Sequence, residues 1–321
     1  MQHLHKSGTN LEKGAIDFIS NNESITLFSA YIRLEELKKI NVKNNIKQII
    51  VRWEIEDLCK GVSDIGLYQY CLDNGITLYR NTRLHMKAIW NNQNSVVFGS
   101  ANVTGKGLGE LNNYNYELNG LNESISFNDI VYLNQVIESS EYVSEDLYHK
   151  INEIVKNIIM PVLIFPELPT SKNDVDYFLL RQLPMSNSPD DLYEVAINTE
   201  KSENIKQVYA ANDIALYGIN PFQEHNKFKL ELKHKFNSHP FIIALKEFIK
   251  TQPSQSLRYG GVVEWIKNNT TTVPTPRSWE IKNDQLVNIL YTWICEFDDN
   301  FYWDTPTHSQ VIYYKLKHEG I

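Results

Sequence analysis

Ile46-Lys47-Gln48-Ile49-Ile50-Val51-Arg52-Trp53 is a run of β-branched and apolar residues with the composition of a buried strand. Upstream of it, Ser24-Ile25-Thr26-Leu27-Phe28-Ser29-Ala30-Tyr31 is also strand-like, and Leu34 to Lys39 lies between the two with helical spacing. Downstream, Asp64 to Leu72 reads as a helix closed by Asn74-Gly75, and Ile76-Thr77-Leu78-Tyr79 gives a third strand. A further helix over Leu11 to Asn21 precedes the series. This β-α-β-α-β alternation predicts an α/β layer structure, a largely parallel sheet with helices on both faces.

The strands then become consecutive: Leu84 to Trp90, Ser95 to Ser100 after the turn residues Asn91-Asn92-Gln93-Asn94, and Tyr114 to Leu118. Helices are expected over Asn128 to Glu138 and Ser144 to Ile159. Pro161, Pro166 and Pro169 punctuate the chain next and place the domain boundary, giving one domain over residues 1–165 and a second over 166–321. The second half reads as α+β. It has an extended piece near Tyr177 to Gln182, a helix opening at Ser188-Pro189, a strand from Lys227 to Phe236, and a helix starting at Ser238 with Pro240 in its first turn. Two more helices cover Val262 to Lys267 and Asp284 to Phe297.

The 321 residues fit two domains, and a composition of 42% hydrophobic and 22% charged residues is that of a globular chain. Lys plus Arg number 31 against 39 Asp plus Glu, a net charge of -8 that excludes a polybasic nucleic-acid coat. Cys59, Cys71 and Cys295 are odd in number and lack a C-x-x-C, so neither a disulfide framework nor a zinc knuckle is expected. Met1 to His5 has no basic segment followed by an apolar core, and the longest apolar run, near Ile158 to Phe165, is far below about 18 residues. The expected location is the cytoplasm, away from membranes.

The most informative residues are Leu84-His85-Met86-Lys87, Gly99-Ser100-Ala101-Asn102-Val103-Thr104 and Asn115-Tyr116-Glu117. On a strand, His85 and Lys87 would project from the same face, and so would Ser100 and Asn102 at the end of the next. Gly99 would allow close backbone approach there. The set suits attack on a phosphodiester without a metal or other cofactor. An imidazole nitrogen is the nucleophile, a lysine and an amide hold the non-bridging oxygens, and Glu117 accepts the other ring N–H to fix the tautomer. The bland reading makes His85 a satisfied half-buried residue and Lys87 a solvent-facing one. Five polar residues gathered within apolar strands weigh against it.

His85-x-Lys87, Gly99-Ser100-x-Asn102 and Asn115-x-Glu117 resemble the signature of the phospholipase D superfamily, and the step of 17 residues from His85 to Asn102 is similar to that of its small nuclease members. The motif's usual aspartate falls at Asn92, a turn or structural position in the nuclease branch. Ser29-Ala30-Tyr31, Arg52-Trp53, Gly61-Val62-Ser63-Asp64 and Leu78-Tyr79-Arg80-Asn81 look like the phospholipase D-type restriction endonucleases and their relatives in phage defence. The resemblance covers Leu11 to Ile159 and implies a phospholipase D-like layered sheet. It implies a two-step reaction through a covalent phosphohistidine, with a second histidine protonating the leaving oxygen. The only other H-x-K, His225-Asn226-Lys227, has no G-S-x-N after it. A single motif therefore implies a homodimer with one shared active site, in which His85 serves as nucleophile in one subunit and general acid in the other. The substrate implied is DNA, with RNA left open.

Weaker signals divide between function and structure. Ser63 and Asp64 border the site by the family pattern, or cap a helix. The strand from Lys227 to Phe236 would place Lys229 and Lys233 in a lysine row that grips phosphates or simply protects a sheet edge. Arg258, Lys267 and Arg277 would extend a basic surface near a Gly260-Gly261 turn. Gly99 to Lys106 lacks P-loop spacing, and His3, His5, His149 and His239 lack metal-ligand spacing. The leading expectation is a metal-independent DNA endonuclease of restriction or defence type, with a C-terminal half that recognises nucleic acid or a partner such as an ATPase or helicase. The competing readings are a non-catalytic nucleic-acid-binding or scaffold subunit of a defence complex, and a lipid phosphodiesterase, which the lack of an amphipathic membrane-binding segment disfavours.

Overall fold

The computed structural model describes residues 3–109, 113–159, 166, 178–270, 283–306 and 308–315. The chain divides into two compact units, Met1–Pro166 and Glu167–Ile321.

The first unit is a layered α/β structure with an eight-stranded sheet. Its strands are β1 (His3–Lys6), β2 (Ile25–Ser29), β3 (Ile46–Val51), β4 (Thr77–Arg80), β5 (Ala88–Trp90), β6 (Val96–Gly99), β7 (Leu118–Asn122) and β8 (Glu141–Tyr142), in the spatial order β1-β7-β6-β5-β2-β3-β4-β8. Interleaved with them are α1 (Leu11–Ser20), α2 (Leu34–Ile40), α3 (Ile55–Cys59), α4 (Leu67–Asp73), α5 (Gly105–Leu108), α6 (Phe127–Glu138) and α7 (Glu145–Asn157). Alternation along the strands sends successive side chains into two separate cores. Leu27, Ile49, Ile89 and Val97 pack with Leu11, Ala15 and Ile19 of α1 on one face. Phe28, Ile50, Ala88, Trp90 and Val96 pack with Leu133 of α6 on the other.

The sheet is mixed, not largely parallel. Only β2, β3 and β4 run parallel to their neighbours, each joined to the next by a helical crossover. β5, β6, β7 and β1 are antiparallel, because the turn at Asn91–Asn94 is too short for a crossover and returns the chain at once. Asn91 holds that turn, its Oδ1 accepting the Gln93 and Ser95 N–H groups at 3.0 Å each. Asn92 adopts a left-handed φ of 60°, accepts from Thr26 Oγ1 at 2.6 Å and donates to Ser24 Oγ at 2.9 Å. Asparagine tolerates this conformation as aspartate does. Two expected strands begin later than predicted: residues 84–87 and 114–117 are irregular, and pairing starts only at Ala88 and at Leu118, from which β7 runs on to Asn122.

The second unit contains α8 (Pro189–Ile197), α9 (Asn204–Tyr217), α10 (His225–Asn237), α11 (Pro240–Thr251), β9 (Ser256–Arg258), α12 (Tyr259–Asn269), α13 (Asn283–Phe297), β10 (Phe301–Asp304) and β11 (Val311–Tyr314). The three strands form an antiparallel sheet in the order β10-β11-β9. Ser188 caps α8 by accepting from the Asp191 N–H, with Pro189 at the first helical position. The core centres on Trp293, which stacks on Tyr217 at 5.8 Å and meets Phe236 at 5.3 Å. Its indole N–H donates to the Ser186 carbonyl at 2.9 Å, and the buried Asp213 carboxylate accepts the Met185 and Ser186 N–H groups beside it. Cys59, Cys71 and Cys295 are free thiols, and burial pushes Cys71 up to about 12. No helix among the described residues is long and apolar enough to cross a membrane.

The run Lys227 to Phe236 is helix α10, not a strand. Phe228, Leu232 and Phe236 recur every four residues and are all buried, whereas Leu230 is 70% exposed. Strand alternation and helical periodicity share these three positions, and tertiary packing decides for the helix. Gly260 and Gly261 lie inside α12 and form no turn, while Arg277 falls outside the described residues. This register is testable. Leu232→Ala should cost about 2–5 kcal/mol in denaturant unfolding, whereas Leu230→Lys should stay within about 0.5 kcal/mol. Equal losses at the two positions would contradict the helix.

Candidate active site

Three segments meet at the end of the sheet where β5 begins and β6 and the parallel strands end. Residues 85–87 enter β5, and the Lys87 carbonyl accepts the Gly99 N–H at 3.2 Å from the last residue of β6. Gly99 pairs with Asn119 of β7, which brings Glu117 to the same edge. A Cβ at position 99 would collide with Asn119 Oδ1 and the Leu118 carbonyl, so glycine is required for this approach.

His85 is exposed, and its ring makes no hydrogen bond to a described residue. Lys87 donates to the His85 carbonyl at 2.6 Å. Partial burial lowers the Lys87 pKa, Glu117 opposes this by favouring the ammonium, and Arg52 adds to the lowering. Lys87 thus sits within electrostatic range of both. Ser100 Oγ donates to one Glu117 oxygen, and Asn115 Nδ2 donates to the other at 3.3 Å. Ser7 Oγ donates to the Glu117 carbonyl at 3.3 Å and accepts its N–H at 2.8 Å, anchoring this edge to the start of the chain. Asn102 Oδ1 accepts the Tyr31 N–H at 3.2 Å and Ser29 Oγ at 3.4 Å, which ties the G-S-x-N loop to the end of β2. Its amide nitrogen has no partner among the described residues.

Glu117 therefore engages Ser100 and Asn115, and does not orient the His85 ring as the sequence suggested. His85 and Lys87 share no strand face, because pairing begins after them. Ser63 is not a surface group: it is 1% exposed, and its hydroxyl accepts the Ile32 N–H at 3.2 Å. Asp64 accepts the Leu34 N–H at 2.7 Å and pairs with Arg33 at 3.3 Å, capping the start of α2 from a distance. Lys229 and Lys233 belong to the second unit. Lys229 is neutralised by Asp190 at 3.1 Å and Glu296 at 2.6 Å, and Lys233 is exposed on α10. His225 bonds Asp190 at 3.1 Å.

Arg52, which the sequence pattern marks without assigning it a role, is fixed at this rim by its contacts. It donates from Nε to Asp57 Oδ2 and from Nη2 to the Tyr31 hydroxyl, each at 2.8 Å, and its guanidinium lies 4.8 Å from the Tyr31 ring centre. The hydrogen bond to Asp57 raises the Arg52 pKa and so keeps the guanidinium charged. The signal was available: an arginine directly after β3 ends where the neighbouring strands end. A cleft of about 490 Å³ opens beside the site, lined by Asn81, Arg83, Leu84, His85, Met86 and Tyr132 among others. Among the described residues no three His, Cys, Asp or Glu side chains gather closely enough to hold a metal ion.

Neither a family model nor a curated protein matches this chain. Among solved structures it is similar to a phospholipase D family member, Nuc from Salmonella typhimurium, at 14% identity and a TM-score of 0.36, over 45% of this chain and 100% of that one. It is similar to NucT from Helicobacter pylori at 19% identity and a TM-score of 0.33, over 44% and 99% of the two chains. A third likeness is to phosphatidylserine synthase from Haemophilus influenzae Rd KW20, at 16% identity and a TM-score of 0.33, over 48% and 43%.

The charge balance at Lys87 yields a measurable sign. Glu117→Gln removes the carboxylate that favours the ammonium, leaving burial and Arg52 unopposed, so the Lys87 pKa should move further down. An NMR titration of the isotopically labelled lysine reads this directly, and an unmoved or raised midpoint would contradict the arrangement.

Proposed function

We propose that this chain is a phosphodiesterase of the phospholipase D type, and specifically a metal-independent DNA endonuclease of restriction or phage-defence kind. One observation carries the reading. The His85–Lys87, Gly99–Asn102 and Asn115–Glu117 segments, distant in sequence, meet at one sheet end, with an exposed imidazole beside an open cleft. The resemblance of these motifs to the superfamily supports the reaction class.

In this reading an imidazole nitrogen of His85 attacks phosphorus, forming an N–P bond as the P–O bond to the leaving nucleoside breaks. His85 of the partner subunit donates a proton to that oxygen. The same imidazole, now neutral, takes a proton from water, whose oxygen attacks the phosphohistidine and restores His85. Lys87 and the free Asn102 amide nitrogen hold the non-bridging oxygens, and Arg52, fixed by Asp57, adds a third cationic group at the rim. Ser100 and Asn115 fix the Glu117 carboxylate, which favours the Lys87 ammonium. The exposure of His85 suits a centre shared across a homodimer axis. Residues 1–165 carry the chemistry, and residues 166–321 serve recognition.

Cleavage of plasmid DNA should persist in EDTA and fall by at least about 10³-fold in His85→Ala. A strict need for a divalent cation, or an active His85→Ala chain, would defeat the proposal.

A further inference from the structure

Within the second unit, α11, β9, α12, α13, β10 and β11 follow one another in the order helix, strand, helix, helix, strand, strand. The first strand pairs with the last and the middle strand lies outermost, β10-β11-β9, all antiparallel. This is the topology of a winged-helix domain, with α13 in the place of the helix that enters a DNA groove and the β10–β11 hairpin as the wing. Topology alone assigns no function, so the residues on α13 must carry it.

From Gln285 onward α13 is buried on most of its circumference. Trp293 and Phe297 pack against Phe236 of α10, Tyr291 lies against Trp303 of the wing, and Val287, Leu290 and Ile294 are fully enclosed. One narrow stripe is left outside: Gln285 and Asn288 are exposed, and Thr292, one turn on, is half-buried. The spacing of three and four residues puts them in one row. The two amides are groups that read base edges in the major groove, Asn and Gln pairing in bidentate fashion with adenine, and Thr292, whose hydroxyl donates to the Asn288 carbonyl at 3.0 Å, still offers its oxygen as an acceptor and its methyl to a thymine. A solvated helix face with no binding task more often carries Lys and Glu than a run of such groups.

The flank of the stripe supplies charge. α10 packs beside α13 and carries Lys227, Lys229, Lys233 and Lys235 against a single Glu231. At the seam, Lys229 pairs with Glu296 of α13 at 2.6 Å and also with Asp190 at 3.1 Å, so it offsets part of the Glu296 charge. Lys233, four residues on from Lys229 and on the same side of α10, is exposed and can contact the backbone of a duplex whose groove receives α13, whereas Lys227 and Lys235 are exposed on other sides of that helix.

We infer that the second unit is a winged-helix reader of duplex DNA, in which Gln285, Asn288 and Thr292 of α13 contact base edges and Lys233 of α10 contacts a phosphate. The inference gives residues to the recognition role in the functional reading above, yet does not rest on the chemistry at His85. It also explains how a chain of net charge -8 can engage DNA. Lys233 stands beside the reading helix, and the reading groups are neutral.

The test uses the full chain carrying His85→Ala, incubated with a pool of random-sequence duplexes at physiological salt, with the bound fraction recovered and sequenced. A defined motif should be enriched. Its affinity should fall about tenfold or more, to the level of random duplex, in Gln285→Ala/Asn288→Ala. Asn288→Asp, which keeps the side-chain volume, should lose the same preference. Lys233→Ala should weaken all duplexes alike and lower the salt slope by about one, whereas Lys235→Ala, on another side of α10, should leave binding unchanged. Because these side chains are outside the core, the thermal unfolding temperature should stay the same in every variant. Absence of any enriched motif, a motif that survives both α13 variants, or a preference for single strands would overturn the inference. A cleavage assay on the unsubstituted chain is scored separately, so failure of the nuclease reading cannot be mistaken for failure of this one.

Discussion

The close approach of β6 to β7 at Gly99 is the constraint on which the candidate site depends. A side chain there would strike Asn119 and the Leu118 carbonyl, and the two strands would part. Ser100 would then lose Glu117, and the Asn102 loop would lose its place against Tyr31. The rest of the unit serves this junction. Two hydrophobic cores clamp β2, β3, β5 and β6 from both faces, and the parallel strands end at the level where β5 begins. Polar groups from four strands are thereby set at one rim without any of them lying in a regular strand.

That last point explains what the sequence made legible and what it hid. Residues 24–80 announce themselves, because β2 is buried on both faces, β3 is buried over most of its length, and helices lie between the strands. Gly99-Ser100-x-Asn102 and His85-x-Lys87 stand out because polar side chains interrupt apolar runs. Their geometry was less accessible. Alternation placed His85 and Lys87 on a common strand face, but β6 turns away at Ser100 and leaves residues 84–86 without a partner to pair with. Ser63 was ambiguous for another reason: a hydroxyl that satisfies a buried N–H and one that meets a ligand look alike in sequence. The Lys227–Phe236 run fits two periods at once, and the packing of Phe228, Leu232 and Phe236 around Trp293, which lies far along the chain, selects one of them.

Charge follows the same division. The excess of acidic residues opposes loose binding to any nucleic acid, and the structure gathers its cations where they have a defined partner. Arg52 is clamped by Asp57, and Lys87 is balanced between Glu117 and Arg52. Fixed cations of this kind orient a phosphate instead of merely attracting it.

The central claim is that His85 attacks phosphorus and is later displaced by water. The most direct measurement is the stereochemical course at phosphorus, followed with a phosphorothioate linkage of defined configuration cleaved in ¹⁸O-enriched water. Two successive in-line displacements through a phosphohistidine predict overall retention of configuration. Inversion would show a single displacement by water and contradict the account.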